Sequence, residues 1–467
     1  MKWLLASWLL ILIAGAFVRA QERASTADVR LMTLDPGHFH AALIQKEMYA
    51  GVSPRVDVYA PAGWDLDEHL KRVAAYNKRA ERPTSWQMEL HTGADFLQRM
   101  LTEKPGNAVI LSGRNRPKLD RIAQSVRAGL HVLADKPWVL TSADLPALES
   151  VLADADRGGV VAYDIMTERF EITTILQRAL VNDASVFGQI VKGTVDDPGV
   201  YMESVHHLMK VVSGVPNIRP PWFFDVAEQG EGLNDIGTHL VDLVQWTLFP
   251  GQGIDYRGDV RLLDAYRWPT IIPEPEFQRV TGGQRFDARL PGVKNDTLEY
   301  FANTLVSYAL RGVHTKLNII WDWEAPPGGA DTHFAYYRGT RAKIEVRQRA
   351  GDKYVTELFV IPANAALKAD VLAATRKKIA ALQSSYPGVA VADGGSEIHI
   401  TVPAALREGH EAHFAQVAAN FLRYVRDRSA LPAWERPNMV AKYYVTTTGT
   451  ELSRKSPVRV APRLAPK

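Results

Sequence analysis

The pattern that most constrains the fold is an alternation of short apolar runs with amphipathic segments between Val29 and about Ala162. The apolar runs predict strands at Val29–Leu34, Val56–Tyr59, Ala108–Leu111, His131–Ala134 and Val160–Tyr163. Helical spacing occurs at Ala41–Tyr49, Leu66–Asn77, Ala94–Leu101, Lys118–Ala128 and Ala143–Ala155. Parallel neighbours need a crossover connection, so this alternation predicts a parallel sheet built from βαβ units.

The second half of the chain has a different pattern. Strands are predicted at Phe187–Thr194, Tyr300–Leu310, Thr315–Ile320, His333–Arg338 and Ala342–Val346, without regular intervening helices. This favours an α+β domain with an open, mostly antiparallel sheet. An insertion is predicted at about 355–405, with a helix over Leu367–Gln383 and a strand over Glu397–Val402. An amphipathic helix, Ala412–Arg426, follows it, and the chain ends in a polar tail.

Length and composition bound the organisation of the chain. Its 467 residues exceed one ordinary domain, and we place domains at 28–163 and 164–458 with a tail at 459–467. The net charge of +3 comes without a basic stripe, which argues against nucleic acid as a partner. Cysteine is absent, which excludes disulfides, thiolate metal ligands and cysteine nucleophiles.

Residues 1–20 have the pattern of an export signal. Lys2 precedes the apolar run Trp3–Phe17, and Val18-Arg19-Ala20 fits a cleavage site before Gln21. The run is short for a membrane-spanning helix, which needs about 20 residues. We therefore expect an exported protein, periplasmic or extracellular, without a stable membrane anchor after cleavage.

The turn after the first predicted strand reads Asp35-Pro36-Gly37-His38-Phe39-His40. A Rossmann-like dinucleotide site places glycine at three positions of such a turn, and only Gly37 is kept here. This middle position is where a side chain would most directly block the phosphates. His38 and His40 also form a His-x-His pair, which is typical of some metal sites. The turn alone leaves both interpretations open.

Two further motifs carry potential chemistry. Asp135-Lys136-Pro137 follows the predicted strand His131–Ala134, which places an amine at the carboxyl edge of a parallel sheet, where ligands bind. Further along, Asp235, His239 and Asp242 have the spacing of one helix face, with Gly237 between them. A carboxylate and an imidazole one turn apart can act as an acid–base unit.

These two motifs together resemble the Gfo/Idh/MocA family, the glucose–fructose oxidoreductase and inositol dehydrogenase group. Members usually show Glu-Lys-Pro, and Asp135 is a mild departure. Asp235, Gly237, His239 and Asp242 match the family's second motif at every fixed position. The resemblance covers roughly residues 28–350 and resumes at 414–458. The intervening segment suggests a specialised C-terminal variant.

The resemblance implies a nicotinamide-dependent enzyme that acts on a hydroxyl of a sugar or glycoside. His239 would take the hydroxyl proton, Lys136 would hydrogen-bond the reacting oxygen, and Asp235 would position substrate and histidine. NAD or NADP would contact Gly37, His38, Phe39, Ser112, Arg114, Asn115, Asp135, Lys136 and Pro137. The side chains at Asp35 and His40 depart from the family pattern and predict an altered cofactor pose or a degenerate site.

Other residues are weaker candidates. His206 and His207 precede the Asp–His helix and are candidates for substrate binding, together with Asp242. Trp222 could form part of an apolar wall against a sugar ring. His410 and His413 in the C-terminal helix are predicted to lie at the surface.

Two alternatives remain at this stage. A metal-dependent hydrolase of the amidohydrolase type would use His38 and His40 with Lys136, His206, His207 and Asp235, but it requires an eight-stranded barrel. A non-catalytic sugar-binding protein on the same scaffold would bind sugar without nicotinamide. Within the favoured interpretation no metal is expected.

Export adds a chemical constraint, because the cell exterior offers no general pool of nicotinamide dinucleotide. The resemblance therefore favours a tightly held cofactor that is oxidised and reduced within one catalytic cycle. Family members often pair through the open sheet, so a dimer or tetramer is expected.

Overall fold

The computed structural model describes residues 28–212, 215–287 and 290–462. The predicted leader and the end of the predicted tail lie outside these residues. Within them no helix has the length and apolar character needed to cross a membrane.

The N-terminal part is a six-stranded parallel sheet. Its strands are β1 (Leu31–Leu34), β2 (Arg55–Ala60), β3 (Gln87–Thr92), β4 (Ala108–Leu111), β5 (His131–Ala134) and β6 (Ala162–Asp164). They are ordered β3-β2-β1-β4-β5-β6, which is the order of a dinucleotide-binding fold, and the predicted Rossmann-like sheet is confirmed. The sequence missed β3, an edge strand whose side chains are largely exposed and carry no apolar run.

Five helices accompany this sheet. They are α1 (His40–Ile44), α2 (Trp64–Lys78), α3 (Phe96–Glu103), α4 (Lys118–Arg127) and α5 (Leu145–Gly158). The first is shorter than the predicted Ala41–Tyr49, because it ends at Ile44 and the chain turns towards β2.

The C-terminal part is built on a ten-stranded sheet. Its strands are β7 (Val200–Met209), β10 (Val260–Pro273), β11 (Val293–Lys294), β12 (Thr297–Leu310), β13 (Val313–Glu324), β14 (Thr332–Arg338), β15 (Ala342–Gln348), β16 (Glu357–Pro362), β17 (Ala390–Asp393) and β18 (Ile398–Thr401), while β8 (Val211–Val212) and β9 (Val215–Pro216) pair separately. The order is β10-β12-β13-β7-β14-β15-β16-β18-β17, with β11 beside β12. Only β13 and β7 pair in parallel, so the mostly antiparallel prediction is confirmed.

Several predicted elements were wrong. Phe187–Thr194 forms turns and two isolated bridges instead of a strand, because Gly188 and Gly193 adopt positive φ angles there. The long strands β7 and β10 were missed. The predicted insertion at 355–405 contributes β16, β17 and β18, so it extends the sheet.

Eight helices belong to the described residues of this second part. They are α6 (Ile172–Val181), α7 (Val226–Gln229), α8 (Gly232–Leu248), α9 (Tyr256–Asp259), α10 (Glu274–Thr281), α11 (Lys368–Ala381), α12 (His410–Arg426) and α13 (Glu435–Lys455). The sequence missed α13, although it is 21 residues long. Its Thr446–Thr448 run is β-branched, and its buried positions lie on more than one face, so it shows no simple apolar stripe.

The two C-terminal helices return to the N-terminal sheet. Phe414, Val417 and Phe421 of α12 join the core on one face of the sheet, while Met439 and Tyr443 of α13 join the core on the other face. Since α13 also packs on α8 and β10, it ties the two sheets together.

A buried ion network reinforces this junction. The guanidinium of Arg169 binds Asp242 through Nε and Nη2, both at 2.6 Å, and Glu435 at 2.7 Å. Lys442 of α13 bridges Asp242 at 3.2 Å and Asp164 at 2.7 Å. Asp242 therefore balances two buried cations, which outweigh the opposing effect of burial and lower its pKa to about 2.

We predict that Asp242→Asn lowers the free energy of unfolding by about 3 kcal/mol, because Arg169 and Lys442 lose a shared counter-charge in a buried site. Urea denaturation measures this effect. The matched control is Glu149→Gln, which removes the partner of the exposed Arg257 and should leave the midpoint nearly unchanged. Equal midpoints for both variants would contradict the structural role of the network.

Candidate active site

A buried ion pair joins the two parts of the chain. Lys136 follows β5, and its Nζ contacts Oδ1 of Asp235 in the first turn of α8. The two side chains are 5% and 10% exposed. Burial alone would raise the pKa of Asp235, but the ammonium of Lys136 outweighs it and the pKa is lowered. The pair is therefore charged, and it lies at the carboxyl edge of the parallel sheet.

His239 lies one helical turn after Asp235 on α8 and is partly buried. Among the described residues, no hydrogen-bond partner reaches its buried Nδ1. Burial and, after it, the charge of Lys136 lower the pKa of His239 to about 4. His239 is thus a neutral imidazole at neutral pH, and it retains the capacity to accept a proton.

The residue before Lys136 is the centre of a second cluster. Oδ2 of Asp135 lies 2.8 Å from Nδ1 of His38, 3.0 Å from Nδ1 of His40 and 3.2 Å from Oγ of Ser112. Its Oδ1 accepts the backbone N–H of Lys136 at 2.9 Å. Burial lowers the pKa of His40 to about 3, which outweighs the attraction of the Asp135 carboxylate.

The turn after β1 keeps the close approach of a nucleotide-binding turn with only one of its three glycines, Gly37. Asp35 adopts a φ of 48°, in the left-handed region, and its carboxylate pairs with Arg121. A Cβ on Gly113 would lie 2.2 Å from the carbonyl oxygen of Asp35, so a glycine is required there. The amides of Gly37 and His38 bond the carbonyls of Asp35 and Ser112, both at 2.8 Å. The turn therefore presents fewer free amides than a standard phosphate site.

Trp222 lies over this turn. Its Nε1 donates to the Asp65 carboxylate at 3.1 Å, and a Cβ on Gly37 would stand 3.2 Å from the indole ring. The guanidinium of Arg114 lies 5.6 Å from the same ring and is partly exposed. The structure thus places Trp222 beside the predicted cofactor residues.

The other predicted cofactor residues lie along the same edge. Nδ2 of Asn115 donates to the carbonyl oxygen of Gln229 at 2.7 Å, and its Oδ1 accepts from Lys118. Asn115 therefore supports the loop through contacts within the protein. Phe39 packs edge-on against His38 and His40, and Pro137 follows Lys136 through a cis peptide bond.

His206 and His207 share a carboxylate at the end of β7. Asp331 Oδ2 lies 3.2 Å from Nδ1 of His206, and its Oδ1 lies 3.1 Å from Nδ1 of His207. Successive side chains of a strand point to opposite faces, but Asp331 reaches both imidazoles. Burial raises the pKa of Asp235, whereas Lys136 first, and then His38 and His206, lower it, so His206 lies near the site.

Asp242 was predicted to contact the substrate, but the structure places its carboxylate inside the protein. Both of its carboxylate oxygens bind Arg169 or Lys442 inside the ion network described above. Asp242 has a structural role in the Asp-x-Gly-x-His-x-x-Asp motif, because its ion pair with Lys442 holds α8 against α13.

Sequence reasoning missed Glu168 and His333, and it predicted His410 only as a surface residue, where its side chain is 48% exposed. Glu168 lies 3.2 Å from Nδ1 of His410. Burial raises the pKa of the Glu168 carboxyl, but its hydrogen bond to His410 and the nearby His239 outweigh burial, and the pKa is lowered. The Glu168 carboxylate outweighs desolvation and raises the pKa of His410. His333 is held neutral, since burial lowers its pKa to about 4. The prediction that His413 is exposed was wrong, because it is buried at the base of α12. No local motif marks these residues, which converge only through the packing of α12.

The arrangement combines a neutral imidazole, a paired ammonium and a carboxylate at one sheet edge. These groups can accept a hydroxyl proton and stabilise charge on an oxygen atom. The described residues form two large open sheets and the small β8–β9 pair, and not the eight-stranded barrel that the hydrolase alternative requires. His206 and His207 pair with Asp331, so they do not join His38 and His40 in one centre.

The comparisons with known proteins agree with this architecture. Residues 176–454 match the family model described as "Putative oxidoreductase C terminal domain". A crystal structure from Parabacteroides merdae with a corresponding oxidoreductase description is 45% identical, with a TM-score of 0.88 over 92% of this chain and 99% of that one. A comparison with curated protein sequences finds no match.

More distant structures share the fold. A levoglucosan dehydrogenase in complex with NADH and L-sorbose is 13% identical, with a TM-score of 0.58 over 92% of this chain and 97% of that one. A 3-ketoreductase from Actinomadura kijaniata with NADP and TDP-benzene is 14% identical, with a TM-score of 0.53 over 90% and 97%. The family model and the 45% identical structure carry the assignment: the chain belongs to this oxidoreductase family, of the Gfo/Idh/MocA type.

Proposed function

We propose that this protein is a nicotinamide-dependent oxidoreductase that oxidises or reduces a hydroxyl-bearing carbon of a sugar or glycoside. The observation that carries the proposal is the meeting of Lys136, Asp235 and His239 at the carboxyl edge of β5. Ligands of open α/β sheets bind at this edge. The distant levoglucosan dehydrogenase and ketoreductase support the same class of substrate.

The side chains suit proton transfer at a carbinol. His239 is neutral and has an unpartnered buried nitrogen among the described residues, so it would accept the hydroxyl proton. Lys136 would donate a hydrogen bond to the same oxygen as negative charge develops on it. Asp235 keeps this ammonium in place through their ion pair.

The residues at the edge fit a nicotinamide cofactor with an altered phosphate contact. The close approach of the β1 and β4 loops at Gly113 is preserved, as nucleotide binding requires. Arg114 is partly exposed beside Gly37 and would supply positive charge where the turn amides are already bonded. When bound, the nicotinamide ring supplies the acceptor or donor of hydride.

The cleft offers a polar environment for a substrate rich in hydroxyl groups. Glu168 with His410 on one side and His206 with Asp331 on another are paired groups that can exchange hydrogen bonds with sugar hydroxyls. This composition supports a carbohydrate over an apolar substrate.

We further propose export through residues 1–20, redox-neutral turnover with retained cofactor, and a homo-oligomer. The leader pattern supports export, and export favours a cofactor recycled within one turnover. Mass spectrometry of the mature protein tests cleavage before Gln21. Light scattering measures the number of subunits, and a monomer would contradict the oligomer.

The cofactor proposal predicts one nicotinamide dinucleotide per chain. Native mass spectrometry of the purified protein, followed by titration with NADH and NADPH monitored by fluorescence, measures this stoichiometry. Arg114→Ala should weaken binding on the order of 10-fold, because a charge-assisted contact to phosphate is lost. Arg257→Ala, far along the chain and paired with Glu149, is the control. Absence of binding of either dinucleotide would contradict the proposed function.

The proton-acceptor role predicts that His239→Ala lowers kcat by about 100-fold to 10,000-fold while dinucleotide binding is kept. Turnover is measured on a panel of hexoses and methyl glycosides, by dinucleotide absorbance and by mass spectrometry of the keto product. The control is His399→Gln, because the partly exposed imidazole of His399 pairs with Glu357 on β16 of the C-terminal sheet.

The same role fixes the acid side of the pH profile. Because the pKa of His239 is lowered to about 4, its neutral form persists above that pH, and kcat/KM should fall only as the pH drops towards about 4. An unchanged kcat in His239→Ala would contradict the assignment of the proton acceptor.

A further inference from the structure

The cluster around Asp135 contains more coordinating groups than nicotinamide chemistry uses. Nδ1 of His38, Nδ1 of His40 and a carboxylate oxygen of Asp135 lie within 4.8 Å of one another. In the described part of the chain, this is the one group of three or more histidine, aspartate or glutamate residues with such spacing. Asp135 and His40 are buried, while the His38 side chain is 20% exposed.

Three separate elements hold these donor atoms in place. His38 lies in the turn after β1, His40 begins α1, and Asp135 follows β5. The backbone N–H of Lys136 binds Oδ1 of Asp135, so Oδ2 faces the two imidazoles. Such outer contacts orient ligands in metal sites. Oγ of Ser112, 3.2 Å from Oδ2, adds a further polar group at the same point.

We propose that His38, His40 and Asp135 form a binding site for a divalent transition-metal ion of the zinc class. Two imidazole nitrogens and one carboxylate oxygen are a common donor set for such ions. Tetrahedral ligands with bonds of about 2.0–2.1 Å stand roughly 3.3 Å apart. The two imidazole nitrogens lie 2.8 and 3.0 Å from the carboxylate oxygen, so each of these two separations would widen by about 0.3 to 0.5 Å to admit the ion.

The exposure of the site leaves a fourth position open. Three protein ligands with one open position are the arrangement of zinc sites that bind water or a substrate oxygen. The site faces the edge where the amides of Gly37 and His38 are already bonded within the protein. An ion there would supply the positive charge that these amides do not offer, and its open position would accept a phosphate oxygen or water. The phosphate contact rests on the proposed function, whereas the metal site does not.

The competing explanation is a purely hydrogen-bonded cluster, in which both imidazoles donate to one carboxylate oxygen. It explains the present distances without an ion. The two explanations differ in whether the protein binds metal in solution, with a stoichiometry and an affinity that depend on these three residues.

The test uses the full chain after treatment with a chelator and dialysis. Isothermal titration calorimetry with Zn²⁺, and visible absorption with Co²⁺, should show one equivalent bound with a Kd below about 10 µM. His38→Ala is the preferred variant because the side chain is partly exposed and its loss spares the core. His38→Ala and His40→Ala should each weaken binding on the order of 100-fold.

The matched control is His399→Gln, which removes another carboxylate-paired imidazole, bound to Glu357. It should bind Zn²⁺ like the unmodified chain, and thermal melts confirm that each variant is folded. Absence of saturable binding at about 100 µM Zn²⁺ would overturn the site, as would unchanged affinity in folded His38→Ala.

Titration with NADH before and after metal removal separates this inference from the proposed function. Zn²⁺ binding that depends on His38, without any dinucleotide binding, would uphold the site and contradict the proposed function. Dinucleotide binding without Zn²⁺ binding would overturn the site alone.

Discussion

The ion pair between Lys136 and Asp235 is the contact on which the account of the site depends. It spans 99 residues of sequence and joins the end of β5 to the beginning of α8, so one buried contact links the parallel sheet to this helix at the reacting edge. A buried charge pair is stable only with good geometry and further partners. Here the same helix also presents His239, so the position of the ammonium and that of the imidazole are coupled through α8.

The C-terminal helices α12 and α13 stabilise the position of α8 relative to the parallel sheet. Tyr443 and Lys442 of α13 both contact Asp164 at the end of β6, while Lys442 also binds Asp242 on α8. The first residue of α12, His410, reaches Glu168 in the cleft. The last third of the chain therefore contributes to the site as well as to the core, and the family-model match over residues 176–454 includes α12 and nearly all of α13.

Much of the N-terminal sheet could be predicted from sequence, because buried parallel strands such as Ala108–Leu111 are continuous apolar runs. Lys136, Asp235 and His239 were recognisable because each motif is local. Glu168 and His410 could not be, since 242 positions separate them and only tertiary packing brings them together. The helix α13 was not predicted from the sequence, because its residues are buried on more than one face and therefore show no amphipathic pattern. The sequence showed two members of the cluster, His38 and His40, as a His-x-His pair. Asp135 could be recognised as the third member only once β1 and β5 were known to lie in one sheet.

The most direct test of the central claim is a crystal structure of the protein with NADH and a reactive or competing sugar. The account predicts that the nicotinamide ring lies at the carboxyl edge of β5, with a sugar hydroxyl in hydrogen-bond reach of both Lys136 and His239, about 2.6–3.2 Å between heavy atoms. A dinucleotide bound elsewhere, or a sugar whose hydroxyls contact neither side chain, would contradict it.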